Sequence, residues 1–161
     1  MTPLSTMTYP VAMPHGHLRF AGRNGEPGAR PVAGAAGQRA GERLLGRRVL
    51  IVEDEALLAM ELQFAFEDEG AEVVGPALSL LAALDTVAHA REIDLAVLDV
   101  DLAGEDVYPI AEILLRRGVP FVFHTGHGSR SELTQMFPGA VTLMKPTLPE
   151  VVITHLLRLP R

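Results

Sequence analysis

The octet Asp94-Leu95-Ala96-Val97-Leu98-Asp99-Val100-Asp101 constrains this chain more than any other stretch. A short apolar run, too brief for an ordinary helix and bounded by carboxylates, is the pattern of a strand buried on both faces of a parallel sheet. A strand ending at Asp99 presents that carboxylate at its carboxyl edge, where open α/β sheets gather their sites.

From Arg48 onward the same plan repeats. Val49-Leu50-Ile51-Val52 is a β-prone run that meets Glu53-Asp54-Glu55. The spacing then predicts a helix with Leu58, Leu62, Ala65 and Phe66 on one face, Glu61 and Glu69 off it, and Gly70 as its stop. Residues 72–76 give a second strand that turns at Gly75-Pro76. Ser79 is suited to cap a helix reaching about His89. After the strand that ends at Asp99, Gly104-Glu105-Asp106 lead into a helix carrying Ile110, Ile113 and Leu114. Pro109 falls in its first turn, where a missing N–H costs little.

A fourth strand is predicted over 119–123, before His124-Thr125-Gly126, and a weaker helix over 129–136. The fifth strand, 140–144, runs into Lys145-Pro146, and a last helix covers about 148–159. Strands alternating with helices over such short connections run parallel, with right-handed crossovers. Residues 47–161 are therefore expected to form a five-stranded doubly wound α/β domain.

Residues 1–46 differ in kind. Gly and Pro recur, Arg is scattered and no apolar period is present, so this tail is expected to be disordered. Residues 1–48 hold seven arginines against two glutamates, whereas the remainder holds seven basic against eighteen acidic residues. An acidic body argues against nucleic acid as a direct ligand and suits a domain that handles a cation. The lack of Cys excludes disulfide and thiol chemistry. No apolar stretch approaches the roughly 20 residues of a membrane span, and the N-terminus lacks a secretory layout. A cytoplasmic protein without membrane contact is the expectation.

In a parallel sheet all carboxyl ends share one edge, so Glu53, Asp54, Asp99, Thr125 and Lys145 are expected to converge. Three clustered carboxylates repel, and one takes up a proton unless countered. A divalent hard cation together with Lys145, the only Lys of the chain, would balance them. Oxygen ligands without Cys or His favour Mg2+, or Mn2+, over zinc. A Thr hydroxyl and a Lys ammonium suit the oxygens of a phosphoryl group, and a carboxylate so placed can attack phosphorus and become an acyl phosphate.

At this point the segments Leu50-Ile51-Val52-Glu53-Asp54-Glu55, Val97-Leu98-Asp99, Val122-Phe123-His124-Thr125-Gly126 and Lys145-Pro146 resemble, in order and spacing, the receiver domain of two-component response regulators. The resemblance covers residues 48–159. It implies a flavodoxin-like (βα)5 fold of strand order 2-1-3-4-5 and a stand-alone, non-enzymatic phosphoacceptor. A sensor histidine kinase or histidine phosphotransfer protein would donate to Asp99 with Mg2+, and the output would be a protein partner, or a relay or sink role. By the same resemblance Glu53, Asp54, Asp99 and the backbone carbonyl of Asp101 hold the metal, and Thr125 and Lys145 bind the phosphoryl group.

Three positions depart from the common pattern: Thr142 replaces an aromatic, Ala103 a frequent Pro, and Thr147 a frequent aromatic. The Phe123-His124-Thr125-Gly126 string is similar to a branch of mostly stand-alone alphaproteobacterial receivers. In that branch, output would run through the loop after Thr125 and the helix that follows it.

Two rival functions remain at this level. Asp99-Val100-Asp101 also resembles the nucleophile–acid pair of haloacid-dehalogenase-type phosphohydrolases, although there it follows the first strand. A receiver-like binding module that works without phosphorylation is the other. His124 and His127 read as exposed loop imidazoles. On the last helix Leu148, Val151, Val152 and Leu156 read as core, and Val152, Ile153 and Leu157 as a surplus that could serve a homodimer or partner.

Overall fold

The computed structural model describes residues 42–126 and 130–160. The tail over 1–41 and His127 lie outside the described residues. In chain order the elements begin β1 (Arg48–Val52), α1 (Ala56–Asp68), β2 (Glu72–Ala77), α2 (Leu80–His89) and β3 (Leu95–Leu98). They continue with β4 (Asp101–Leu102), β5 (Glu105–Asp106), α3 (Tyr108–Arg116), β6 (Phe121–Thr125), α4 (Arg130–Met136), β7 (Val141–Met144) and α5 (Pro149–Leu157).

One sheet of order β2-β1-β3-β6-β7 carries the fold, and each neighbouring pair in it is parallel. With the β4–β5 hairpin set aside, this is the expected 2-1-3-4-5 order. The order reverses direction between β1 and β3, which opens a crevice at their carboxyl ends.

The two faces of the sheet follow the strand period of two. Leu50, Val52, Ala96, Leu98, Phe121 and Phe123 pack with α2, α3 and α4 residues such as Val87, Ile110 and Leu133. Val49, Ile51, Leu95, Val97, Val122 and Leu143 pack with Leu62 and Phe66 of α1 and with Val152, Ile153 and Leu156 of α5. Ser79 caps α2 as expected, its Oγ accepting the Ala82 N–H at 3.2 Å, and Gly70, at φ 82°, ends α1. Among the described residues no helix is long and apolar enough to cross a membrane.

Several expected details shift. Just before residue 47, Leu44 is fully buried, its N–H donates to the Glu69 carbonyl, and Arg43 pairs with Glu69 at 2.5 Å. Gly75-Pro76 is no turn but a bulge inside β2, where the register against β1 slips. Gly75 sits there at φ 103°, and a Cβ would stand 2.8 Å from the Ala77 nitrogen, so only glycine fits.

The fourth strand of the sheet begins and ends two residues later than expected, because β6 stays paired with β7 through Thr125↔Met144. On α5, Val152 and Ile153 are core rather than surplus, whereas Leu148 and Val151 are exposed rather than core. Of the three residues read as surplus, only Leu157 reaches the surface.

Candidate functional site

The bulge in β2 has a consequence at the crevice. It brings the Ala77 carbonyl opposite the Glu53 N–H, 3.0 Å away, which fixes the residue just past β1. On the other side of β1 the Val52 carbonyl accepts the Asp99 N–H at 2.8 Å. The Lys145 N–H donates to the Thr125 carbonyl at 2.9 Å. Backbone pairing thus carries Glu53, Asp99, Thr125 and Lys145 to one edge, and Glu53, Asp99 and Thr125 are all buried.

Lys145 is the hub. Its Nζ donates to Asp99 Oδ2 at 2.5 Å, to Glu53 Oε1 at 2.7 Å and to Glu55 Oε1 at 3.4 Å. Glu53 Oε1 also accepts the Glu55 N–H, whereas Glu53 Oε2 is buried with no hydrogen-bond partner among the described residues. Burial pushes the Glu53 carboxyl up to about 7, helped by the nearby Asp99 and opposed by Lys145. Burial pulls the Lys145 ammonium down, but its bonds to Asp99 and Glu53 outweigh that, so its pKa rises and it stays charged.

Glu53, Asp54 and Asp99 offer oxygen atoms within 4.8 Å of one another, a grouping able to hold a metal ion. An open cleft of about 310 Å³ lies over Asp54 and Asp99, with Asp101, Thr125 and Lys145 in its walls. One oxygen of the Asp101 carboxylate is taken by the loop, its Oδ1 accepting the Gly104 N–H at 2.6 Å. That bond closes the β4–β5 hairpin, whose two-residue loop has Ala103 at φ 57° and Gly104 at φ 92°. A proline, fixed near −65°, could not take the place of Ala103 in this loop.

Two features were not visible in the sequence reading. Glu55, to which the motif assigns no role, reaches Lys145 at 3.4 Å. His124, read as an exposed loop imidazole, is 1% exposed inside β6. Its pKa is pushed down by burial and by the Lys145 charge, against the opposing pull of Asp99. Thr142, at the position where an aromatic is common, is buried on β7 opposite Phe123. Under α4, Phe137 packs on Phe123 at 5.4 Å and on Tyr108 at 5.7 Å between ring centres.

Comparison with known proteins agrees with this geometry. Residues 49–156 match the model of the response regulator receiver domain. The chain is similar to the transcriptional regulatory protein PdtaR of Mycobacterium tuberculosis, 38% identical over 85 residues, which span 52% of this chain and 41% of that one. It is also similar to the phyllosphere-induced regulator PhyR of Methylorubrum extorquens, 27% identical over 65% of this chain and 40% of that protein.

Among solved structures, the response regulator PhyR from Brucella abortus superposes with a TM-score of 0.61 at 27% identity, covering 73% of this chain and 49% of that one. The HemR receiver domain of Leptospira biflexa gives 0.60 at 25% identity, covering 71% of this chain and 97% of that domain. The chain thus spans less than half of these two curated relatives and nearly all of an isolated receiver domain. Relatives in Mycobacterium and Leptospira reach beyond the alphaproteobacterial branch suggested by the Phe123–Gly126 string. By its parallel sheet, by the charges converging at one edge and by the extent of these matches, the chain belongs to the response regulator receiver domain family.

Proposed function

We propose that Asp99 accepts a phosphoryl group from a sensor histidine kinase or a histidine phosphotransfer protein. The phosphorylated chain then binds a protein partner or serves as a relay or sink. One observation carries this reading: a nearly buried Asp99 carboxylate held by the single ammonium of a carboxylate-rich, open cleft. An Asp99 oxygen attacks phosphorus, the bond from phosphorus to the donor imidazole nitrogen breaks, and that nitrogen keeps the electron pair. Lys145 exchanges its bond to Asp99 for one to a phosphoryl oxygen, and the Thr125 hydroxyl donates to another. The chain is in this sense an acceptor and not an enzyme, and a cytoplasmic location suits it.

The orphaned Glu53 Oε2 and the all-oxygen donor set fit a hard divalent cation. Glu53, Asp54, Asp99 and the Asp101 carbonyl would hold Mg2+, or Mn2+, which supplies positive charge to the phosphoryl oxygens. Leu57, Met60 and Phe64 form an exposed apolar stripe on α1 that starts near the cleft and offers the donor a surface. The phosphohydrolase alternative needs Asp101 as an acid, and its bond within the hairpin argues against that.

Incubation with Mg2+ and acetyl phosphate, read by intact mass, tests the proposal. The expected result is one base-labile phosphoryl addition that is absent in Asp99→Asn. No addition despite confirmed Mg2+ binding would favour a binding module that works without phosphorylation.

A further inference from the structure

A second cleft, of about 550 Å³, opens between the start of α1 and the segment joining β7 to α5. Leu58, Pro146 and Leu148 supply its apolar walls, Glu55 and Glu61 its carboxylates, and His124 lines its depth. Strand alternation turns His124 to the opposite face of β6 from Phe123 and Thr125. His124 is 1% exposed, yet neither ring nitrogen has a hydrogen-bond partner among the described residues. A neutral imidazole carries one donor and one acceptor, and leaving both unmet in a buried position is unfavourable.

The charges at the cleft point to one kind of occupant. Lys145 also borders it, but its ammonium is engaged by Asp99 and Glu53 and touches only one oxygen of Glu55, at 3.4 Å. Glu61 makes no ion pair among the described residues, and α1 carries no basic side chain. Leu148, 68% exposed at the rim, leaves an aliphatic surface beside those carboxylates. Burial and the Lys145 charge, against the pull of Asp99, lower the imidazole's pKa, which favours the neutral ring with one acceptor nitrogen.

We propose that this cleft receives an arginine side chain presented by a protein partner, its stem along Leu58, Pro146 and Leu148 and its guanidinium donating to Glu55, Glu61 and the acceptor nitrogen of His124. A guanidinium suits the site because its planar fork donates in several directions at once, so carboxylate and imidazole are satisfied together. An ammonium is a compact point charge without that fork. The cleft borders the one over Asp99 and shares Glu55 and Lys145 with it, whereas Leu58, Glu61, His124, Pro146 and Leu148 line this cleft and not the other.

The full chain, with leucine methyls and imidazoles labelled for NMR, is titrated with N-acetyl-arginine methylamide and, separately, with its citrulline and lysine counterparts. No Mg2+ or phosphodonor is added, so the result does not depend on whether Asp99 accepts a phosphoryl group. Saturable shifts at the His124 ring and the Leu148 methyls are expected with the arginine compound alone. Glu61→Gln, at an exposed position that does not endanger the fold, should weaken binding about fivefold, and His124→Phe should weaken it further. The proposal is overturned by an absence of saturable shifts, by equal response to citrulline or lysine, or by binding that neither substitution alters.

Discussion

At the amino edge of the sheet, Arg48 meets Glu72 at 3.2 Å and Glu92 at 3.3 Å, and Arg47 meets Asp94 at 3.5 Å. At the carboxyl edge Lys145 meets Asp99, Glu53 and Glu55. The amino-edge side chains are 31–80% exposed, whereas those of Lys145, Glu53 and Asp99 are 12%, 1% and 7% exposed. Exposed pairs of the first kind are worth about 0–1 kcal/mol each and are readily screened. The second cluster is buried and short of positive charge, with Asp54 beside it. One edge tidies the surface. The other stores an imbalance that a cation could resolve.

The largest contrast should come from deleting the two cations in turn. Lys145→Ala leaves buried carboxylates without their counter-charge, and urea unfolding near pH 7.5 should show a loss of about 3 kcal/mol. Arg48→Ala at the amino edge should cost less than about 1 kcal/mol. Equal losses at the two edges would erase the distinction drawn between them.

The pH dependence sharpens it. Glu53 titrates near 7 in the folded chain against an ordinary 4.5, so the folded state keeps a proton that the unfolded chain gives up. Its stabilising contribution is complete below about 4.5 and is lost as pH rises through about 7, on the order of a few kcal/mol. His124, shifted down, acts in the opposite sense: its contribution is present above its ordinary 6.5 and fades as pH falls below it. Unfolding measured in Glu53→Gln against the parent chain isolates the first effect. The variant should gain relative stability as pH rises from 5 to 8, and a flat difference would contradict the assignment.

A smaller effect is expected at the hairpin that carries Asp101. Ala103 adopts φ 57°, which costs a non-glycine residue about 1–2 kcal/mol. Ala103→Asn, better suited to that region, should raise stability by about 0.5 kcal/mol with phosphoacceptance intact. A loss of stability would mean that the loop is held in another way.

Much of this was legible in the sequence because parallel strands bring their ends together whatever their separation along the chain. Val52 before Glu53 and Leu98 before Asp99 were enough to place both acids at one edge. His124 was not legible, because the apolar run stops at Phe123 and a His-Thr pair looks like loop; only pairing with β7 keeps it in the sheet. Gly75-Pro76 carries turn chemistry but is spent on a bulge in an edge strand. Leu44 lies in an Arg-rich stretch without periodicity, and its burial depends on the end of α1, a partner with no local signal. The alanine at 103 gave no hint of a left-handed loop.

The most direct test of the charge imbalance is calorimetric titration of Mg2+ near pH 7 in two buffers of different ionisation enthalpy. Saturable binding is predicted, with proton release traceable to Glu53, abolished by Asp54→Asn and untouched by Arg48→Ala. Binding that survives Asp54→Asn, or an absence of binding in the parent chain, would contradict the reading of this edge as a metal and phosphoryl site.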